Sequence, residues 1–406
     1  MDIKQVSGGV CAPQGFVAAG INCGITARQE KKDLALIFSK AEATAAAVYT
    51  KNQVRAAPVI VTKSNLENGR AQAVICNSGN ANACNTDGEK SALEMCALAA
   101  EQLNITPQEV IVASTGVIGQ KLNIDCIKNG VPELSAKLSE TGSNDAAHAI
   151  MTTDTVMKEI AVSFTLGGKE CKIGGIAKGS GMIHPNMATM LAFFTTDACV
   201  SSGMLKKALN NAVESTFNMI SVDGDTSTND MACIIANGLL NNDEITGENE
   251  DFEAFSFALM YCCIYLARMM AKDGEGATKL IECTVDGAFD ENAARALAKS
   301  VVSSSLFKAA MFGADANWGR ALCALGYAGV SFDPKKVWVK FKSEAGEILV
   351  CENGSGVDFD EDKAKEILSE KEIEVVILMN QGSGSAVAWG CDLSYDYVKI
   401  NGDYRS

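Results

Sequence analysis

Apolar residues in the first half of the chain form short strand-like runs separated by helix-like repeats. Runs bounded by Gly, Asn, Ser or charged residues predict strands at 34–38, 59–62, 73–76 and 110–113. Over residues 89–103, apolar positions recur with helical spacing, which predicts an amphipathic helix capped by Asp87. Its predicted buried face consists of Leu93, Cys96, Ala97, Ala100 and Leu103.

The pattern continues with a hairpin and a mixture of further elements. Alternating apolar residues over 160–166 lead into Gly167-Gly168, which predicts a hairpin with 171–176. Helices are also predicted at 204–217, 251–272, 292–311 and 360–368. Further strands are predicted at 190–195, 233–236, 337–342, 375–379 and 397–400, and an exposed acidic loop at 241–251. Because this mixture lacks regular β-α alternation, it favours an α+β or layered α/β fold.

Composition and charge exclude several classes of protein. The 406 residues are 47% hydrophobic, as expected of a folded chain with one large domain or two to three ordinary ones. The net charge of −15 argues against nucleic acids and anionic membranes as partners. The apolar stretch 254–267 is shorter than the roughly 20 residues that cross a bilayer, so we expect a buried helix there. The N-terminal residues resemble neither a signal peptide nor a transit peptide, which predicts a cytoplasmic protein.

The supply of reactive side chains narrows the chemistry further. The 15 cysteines include no C-x-x-C spacing, which indicates free thiols in a reducing compartment. The sequence contains 2 histidines, His148 and His184, so a Cys/His zinc site or a Ser-His-Asp triad is disfavoured and no bound metal is expected. We interpret His184 as a tolerated substitution rather than a catalytic base.

Residues 178–197, KGSGMIHPNMATMLAFFTTD, combine a Gly-rich turn with an uncharged stretch rich in hydroxyls and methionines. Such a stretch is typical of a tight turn before a buried strand, but it also suits a site where a hydroxyl nucleophile meets a substrate. Threonine acts without histidine if its own α-amine is the base, which requires a cut between Ala188 and Thr189. The Thr189 hydroxyl would attack the Ala188 carbonyl, and water would hydrolyse the resulting ester.

The same stretch resembles the signature of the ornithine acetyltransferase family, the glutamate N-acetyltransferases of arginine biosynthesis. Further blocks that are similar to the family's own extend to the C-terminus, so the resemblance covers essentially the whole chain. They are NSGNANA (77–83), STGVIG (114–119), MTTDT (151–155), SVDGDTSTND (221–230), KDGEGATK (272–279), FGADANWGR (312–320) and INGDYRS (400–406).

This resemblance implies a fold and an assembly. The fold is layered α/β of the N-terminal-nucleophile type, with two sheets sandwiched between helices and a smaller C-terminal domain. The precursor cuts itself between Ala188 and Thr189 into an α chain, 1–188, and a β chain, 189–406. These chains stay together as an α2β2 heterotetramer.

The resemblance also assigns residues to the reaction. Thr189 is the nucleophile that takes the acetyl group from N-acetylornithine and passes it to glutamate, so ping-pong kinetics are expected. Thr115 and Gly116 match the family's oxyanion hole, and a glycine after the predicted strand 110–113 suits close approach of a ligand. Substrate-binding positions carry over to Thr152, Lys178, Thr189, Glu275, Asn401 and Ser406.

Several alternatives stay open at this stage. Thr153 competes with its neighbour Thr152 as the ligand. Acetyl-CoA is a second acetyl donor for some family members, and no residue of this sequence decides whether it is used here. An amidohydrolase or aminopeptidase would use the same nucleophile with water as acceptor. In a non-enzymatic small-molecule-binding protein, Thr189 would stay internal.

Overall fold

The computed structural model describes residues 2–26, 30–184 and 190–403. Helices and strands alternate irregularly along this part of the chain. The helices are α1 (Ala57–Asn65), α2 (Gly88–Leu103), α3 (Ile124–Ala136), α4 (Ser143–Ile150), α5 (Ser202–Ser215), α6 (Glu250–Lys272), α7 (Glu291–Ser303), α8 (Ser305–Phe312), α9 (Trp318–Gly326), α10 (Glu361–Leu368) and α11 (Tyr395–Asp403).

The strands are of very unequal length. They are β1 (Lys4–Gln5), β2 (Phe16–Ile21), β3 (Leu34–Ser39), β4 (Thr44–Tyr49), β5 (Ala73–Asn80), β6 (Val110–Val117), β7 (Lys158–Leu166), β8 (Lys169–Lys178), β9 (Leu191–Thr196), β10 (Ile220–Ser221), β11 (Met231–Ala236), β12 (Leu280–Ala288), β13 (Trp338–Ser343), β14 (Gly346–Glu352), β15 (Ser355–Gly356), β16 (Glu372–Leu378) and β17 (Gly384–Cys391). The predicted hairpin is confirmed as β7 and β8, joined by Gly167 and Gly168, which both have positive φ.

Two sheets lie face to face and are covered by helices. A four-stranded sheet has the order β2-β3-β5-β6, and a six-stranded sheet has the order β1-β7-β8-β9-β11-β4. Val74, Ile111, Phe193 and Cys233 belong to the core cluster between them, and α4 packs beside it. Helices α1, α2 and α3 share a core with the outer face of the first sheet, and α5 and α6 with that of the second. The predicted sandwich of two sheets between helices is therefore confirmed.

A third sheet forms the C-terminal part of the fold. Its seven strands have the order β10-β17-β12-β16-β13-β14-β15, and all but β10 follow residue 279. Helix α7 packs on β12 and β17, while α10 packs on β13. This arrangement agrees with the smaller C-terminal unit that the resemblance implies.

The six-stranded sheet contains strands from both sides of the predicted cleavage position. Antiparallel β8 and β9 place Lys178 opposite Leu191. Strand β9 also pairs in parallel with β11, which pairs antiparallel with β4. A cut between residues 188 and 189 would therefore leave two fragments joined by hydrogen bonds within one sheet. The cleavage position itself lies outside the described residues, so the predicted division into α and β chains stays a prediction.

Two predicted strands are helical instead. Residues 59–62 lie in α1, whose first turn contains Pro58. A short apolar run does not distinguish a strand from a buried helix, and proline is favourable in the first turn of a helix. Residues 397–400 lie in α11, so the predicted strand near the C-terminus is wrong. Its less exposed residues, Tyr397 and Ile400, are three positions apart, which is a helical spacing.

Other differences concern helix ends and faces. The predicted helix 292–311 is interrupted at Ser304, whose extended backbone and hydroxyl cap α8 by accepting a hydrogen bond from the Phe307 amide at 3.3 Å. On α2, Leu93 is 53% exposed, whereas Met95 lies in the core. The buried face is therefore rotated from the predicted one, although Cys96 is buried as expected.

The predicted helix 251–272 is confirmed as α6, which extends beyond the apolar stretch 254–267 at both ends. Its 23 residues are long and apolar enough to cross a membrane by length and composition alone. In the fold, however, α6 packs against β7, β8 and α5, and 56% of its most apolar window is buried. The expectation of a buried core helix is confirmed for the face that carries Phe255 and Leu259.

Candidate active site

A cavity of 180 Å³ lies where β6, β8 and α11 meet the loops around residues 152, 181, 228 and 275. It brings together residues from widely separated parts of the sequence. Of the sequence-predicted site residues, it contains Thr115, Gly116, Thr152, Lys178, Glu275 and Asn401. The remaining lining residues are Ile118, Thr153, Gly181, Met182, Ser227 and Asn229.

Three predicted site residues lie outside the described part of the chain: Ala188, Thr189 and Ser406. The residue that follows Thr189 in the sequence, Met190, is buried and lines a cavity of 30 Å³ next to the first. Thr115 and Lys178 line both cavities.

The oxyanion-hole candidates occupy the end of β6, a strand that extends beyond its predicted end to Val117. Gly116 has a φ of 128°, and a Cβ atom there would lie 2.4 Å from the carbonyl carbon of Gly79 on β5. Only glycine allows the two strands to approach so closely. The cavity is thereby lined by the backbone at Gly116 and the adjacent side chain of Thr115.

Lys178 is the last residue of β8 and is only 7% exposed. Its Nζ donates a hydrogen bond to Thr115 Oγ1 over 3.3 Å. A buried ammonium that faces a cavity can also bind an anionic group of a ligand.

Glu275 and Asn401 form another part of the cavity wall. The Asn401 side-chain amide donates to Glu275 Oε2 at 2.8 Å, which connects α11 to the loop after α6. The Glu275 amide donates to the Ser180 carbonyl at 2.9 Å. A Cβ atom at Gly181 would lie 2.3 Å from Glu275 Cδ, so the glycine of the Gly-rich turn makes room for this carboxylate.

An ion cluster around the buried side chains of Lys158 and Asp154 supports the loop that carries Thr152. The Lys158 ammonium lies 2.8 Å from Asp154 Oδ1 and 2.6 Å from Asp273 Oδ2. Asp154 also accepts hydrogen bonds from the Gly179 amide at 2.7 Å and the Thr152 amide at 3.0 Å. Burial alone would raise the pKa of Asp154, but the positive charges of Lys178 and Lys158 hold it below its usual range.

A second buried carboxyl group, Asp230, lines the smaller cavity. Among the described residues, its Oδ2 atom has no hydrogen-bond partner. Burial raises the pKa of Asp230 well above its usual value, because hydrogen bonds and the charge of Lys178 only partly compensate for lost solvation.

Sequence reasoning missed part of the cavity wall. Asn229 donates hydrogen bonds to the carbonyls of Ala81 at 2.6 Å and Ser114 at 2.8 Å, and thereby joins three segments behind the cavity. Its block, SVDGDTSTND, was recognised by resemblance, but no residue in it was assigned a role. Thr152 and Thr153 both line the cavity, and Thr153 Oγ1 lies 2.7 Å from Ser180 Oγ.

The histidines occupy other positions. His148 lines a separate cleft beside α4. His184 Nδ1 lies 3.0 Å from Ser221 Oγ, and burial, followed by the charge of Lys299, lowers its pKa to about 4. Within the described ranges, no group of three or more His, Cys, Asp or Glu side chains could hold a metal ion.

Comparisons with known proteins identify the family. The ArgJ family model matches residues 17–406. The arginine biosynthesis bifunctional protein ArgJ of Caldanaerobacter subterraneus subsp. tengcongensis is 52% identical over 405 residues, which is 100% of both chains. The ArgJ protein of Thermotoga neapolitana is 50% identical over 97% of this chain and 99% of its own.

A solved structure agrees with these relatives. It is the crystal structure of the arginine biosynthesis bifunctional protein ArgJ from Bacillus halodurans, with 43% identity and a TM-score of 0.50. The match covers 52% of this chain and 98% of that one. The layered α/β fold of N-terminal-nucleophile type is thus confirmed. The chain belongs to the ArgJ family.

Proposed function

We propose that the protein moves an acetyl group from N-acetylornithine to glutamate, with the Thr189 hydroxyl as its nucleophile. The enzyme class follows from the family: the chain is a bifunctional acetyltransferase of arginine biosynthesis. The observation that carries the finer proposal is the 180 Å³ cavity, which gathers six of the residues assigned by resemblance. Its size suits an amino-acid ligand rather than the larger molecules that fill pockets of about 300 to 1,000 Å³.

The proposed reaction has two half-reactions. Thr189 Oγ1 attacks the acetyl carbonyl carbon, the amide C–N bond breaks, and the Thr189 α-amine carries the hydroxyl proton to the departing ornithine amine. The glutamate α-amine then attacks the acetyl-threonine ester, and its proton returns to Thr189 Oγ1. Each tetrahedral oxyanion would accept hydrogen bonds from the Thr115 hydroxyl and the Gly116 amide.

Charge distribution in the cavity fits both substrates. N-acetylornithine carries an α-carboxylate and a side-chain amine, while glutamate carries two carboxylates. Lys178 provides a buried positive charge, and Glu275, which is hydrogen-bonded to Asn401, provides a carboxylate in the same cavity. We infer that Lys178 binds a substrate carboxylate and that Glu275 binds the ornithine amine, with Thr152, Asn401 and Ser406 completing the contacts.

The nucleophile arises by self-cleavage between Ala188 and Thr189. Support comes from Met190, which follows Thr189 in the chain. Together with Thr115 and Lys178, Met190 lines the cavity of 30 Å³ next to the larger one. The two fragments of one precursor are proposed to stay together, since β8, β9, β11 and β4 are adjacent in one sheet. The α2β2 heterotetramer and the cytoplasmic location are proposed from the family resemblance alone.

Acetyl-CoA is proposed as a second acetyl donor, in keeping with the bifunctional relatives. Because the cavity holds only 180 Å³, the thioester end alone would enter it. Release of free CoA that depends on glutamate would support this activity, and CoA release at the same rate without glutamate would contradict it.

The first test is an intact-mass spectrum of the denatured protein and two variants. Wild type should give fragments 1–188 and 189–406. Thr189→Ala should stay full length and inactive, because it lacks the attacking oxygen, whereas Thr189→Ser should cleave in part. Cleavage of the alanine variant would exclude Thr189 as the self-cleaving nucleophile.

Product analysis then separates a transferase from a hydrolase. With N-acetylornithine alone, a transferase should release about one ornithine per active site and then stop. Addition of glutamate should restore turnover and yield N-acetylglutamate. Steady release of acetate without glutamate would instead indicate an amidohydrolase.

A further inference from the structure

We propose that Lys178 and Asp154 are positioning residues that orient the Thr115 hydroxyl as an oxyanion donor. Both roles rest on the proposed function, because they serve the same acetyl transfer. Lys178 would thus act on the protein's own hydroxyl, in addition to any contact with a substrate carboxylate. Asp154, which lines the neighbouring cleft beside α4 instead of the 180 Å³ cavity, would contribute without touching the substrate.

The contact with Lys178 determines the direction of the Thr115 hydroxyl hydrogen. An ammonium group has donors and no acceptor, so in the Lys178–Thr115 contact the threonine oxygen must accept. The hydroxyl hydrogen is then directed away from Lys178. Thr115 lines the cavity with Gly116, so the hydrogen is available to the same ligand atom as the Gly116 amide. Because the oxygen accepts a hydrogen bond from a positively charged group, its own hydroxyl hydrogen also becomes a stronger donor.

Asp154 holds Lys178 in place. Asp154 is buried and ionised, and its charge interacts with that of Lys178. Its Oδ1 accepts from the amide of Gly179, the residue after Lys178, at 2.7 Å. The same carboxylate accepts from Lys158 and from the Thr152 amide, so three donors fix its orientation. The Asp154 carboxylate therefore both holds the backbone next to Lys178 and provides a countercharge for its ammonium.

Orientation of the Thr115 hydroxyl and simple substrate binding predict different effects of combined variants on kcat. A lysine that only binds a substrate carboxylate contributes independently of Thr115, so the two contributions to kcat would multiply. A lysine and an aspartate that act through the Thr115 hydroxyl lose their effect when that hydroxyl is absent. Non-additivity in a double-mutant cycle distinguishes the two cases.

The experiment measures kcat at saturating N-acetylornithine and glutamate, per active site counted from the ornithine burst. The variants are Thr115→Val, Asp154→Asn and the double variant, in the full self-processed protein. We expect Thr115→Val to lower kcat by about 100-fold and Asp154→Asn by about 10-fold. The double variant should match Thr115→Val within about threefold. A loss of about 1,000-fold would overturn the proposal.

Lys178→Met provides a second cycle with Thr115→Val in case Asp154→Asn does not fold. The same non-additivity in kcat is expected, even where KM also rises. The matched control is Asp197→Asn, because Asp197 is 1% exposed and accepts backbone hydrogen bonds from Lys172 and Gln14 away from the cavity. It should leave kcat per active site unchanged in both backgrounds.

Failure of the proposed function would look different. If wild type transfers no acetyl group, or if Thr115→Val retains full kcat, the oxyanion assignment itself is wrong. A different result would exclude only the positioning role. In that case Thr115→Val lowers kcat as expected, but the fold-losses in kcat of Asp154→Asn and Lys178→Met multiply with that of Thr115→Val.

Discussion

Two buried carboxyl groups near Lys178, Asp154 and Asp230, have pKa values shifted in opposite directions. The positive charge of this lysine acts to lower the pKa of both groups. Asp154 accepts three hydrogen bonds, from Lys158, Gly179 and Thr152, and its pKa is held low. Asp230 has an oxygen without a partner among the described residues, and its pKa is raised.

The difference shows that burial alone does not decide the charge of a side chain. Removing a carboxylate from water disfavours its ionised form, and only nearby cations and donors restore it. Asp154 has the Lys158 ammonium in direct contact, whereas Asp230 lacks such an ion pair in the described part of the chain. The part of the active-site region that contains the ion pairs of Lys158 with Asp154 and Asp273 is here called the ionic face, and Asp230, whose pKa is raised, lies outside these pairs.

The largest expected effect comes from removing the cation of the ionic face. Lys158→Met would leave the buried carboxylate of Asp154 and the largely buried carboxylate of Asp273 without their shared partner. We expect a loss of about 3 to 5 kcal/mol in the free energy of unfolding at pH 7, measured by chemical denaturation.

An exposed ion pair provides the control for that measurement. Lys137 and Glu133 form an i,i+4 pair on α3 with side chains more than half exposed. Lys137→Met should change stability by about 0.5 kcal/mol or less. A similar small change for Lys158→Met would contradict the view that the buried cluster holds the ionic face together.

Asp154→Asn tests the pH dependence of the ionic face. Because the folded-state pKa of Asp154 is depressed, its charge stabilises the protein above the unfolded value of about 3.9, and this contribution is lost as pH falls towards the folded value. The variant should lose about 1.5 to 3 kcal/mol at pH 7. The gap between the unfolding free energies should narrow below about pH 4, and a gap that widens there would refute the assignment.

The smallest effect is expected for Asp230→Asn, and with the opposite pH dependence. A raised folded-state pKa stabilises the fold below the unfolded value of about 3.9, and that stability is lost as pH rises towards the folded value. The amide resembles the protonated carboxyl, so the variant should differ from wild type by about 1 kcal/mol or less at pH 4. At pH 7 it should be relatively more stable. A variant that becomes less stable relative to wild type as pH rises would contradict the raised pKa of Asp230.

Local patterns predicted much of the fold. Alternation over β7 and the Gly-Gly turn located the β7–β8 hairpin, because strand period and turn conformation are local properties. Residues 59–62 and 397–400 were assigned wrongly because four apolar or mixed residues are compatible with either periodicity. The break at Ser304 was missed, although serine is a good helix cap, since capping depends on the backbone of its neighbours.

The candidate site was predicted mainly through resemblance. Lys178, Glu275 and Asn401 have ordinary side chains whose sequence context alone does not separate them from surface residues. The roles of Asp154 and Asp230 were not anticipated, because their charge states depend on donors from β7, β8 and the loops around them.

The sequence by itself determined the class of fold, the family and most of the residues around the cavity, since these depend on periodicity and on motif blocks along the chain. Tertiary structure decided which side chains meet. It placed Lys178 against Thr115, 63 positions apart, and shifted the pKa values of Asp154 and Asp230 in opposite directions. Hydrogen-bond partners and desolvation are set by contacts between distant segments, and these contacts exist only once the sheets and loops have packed together.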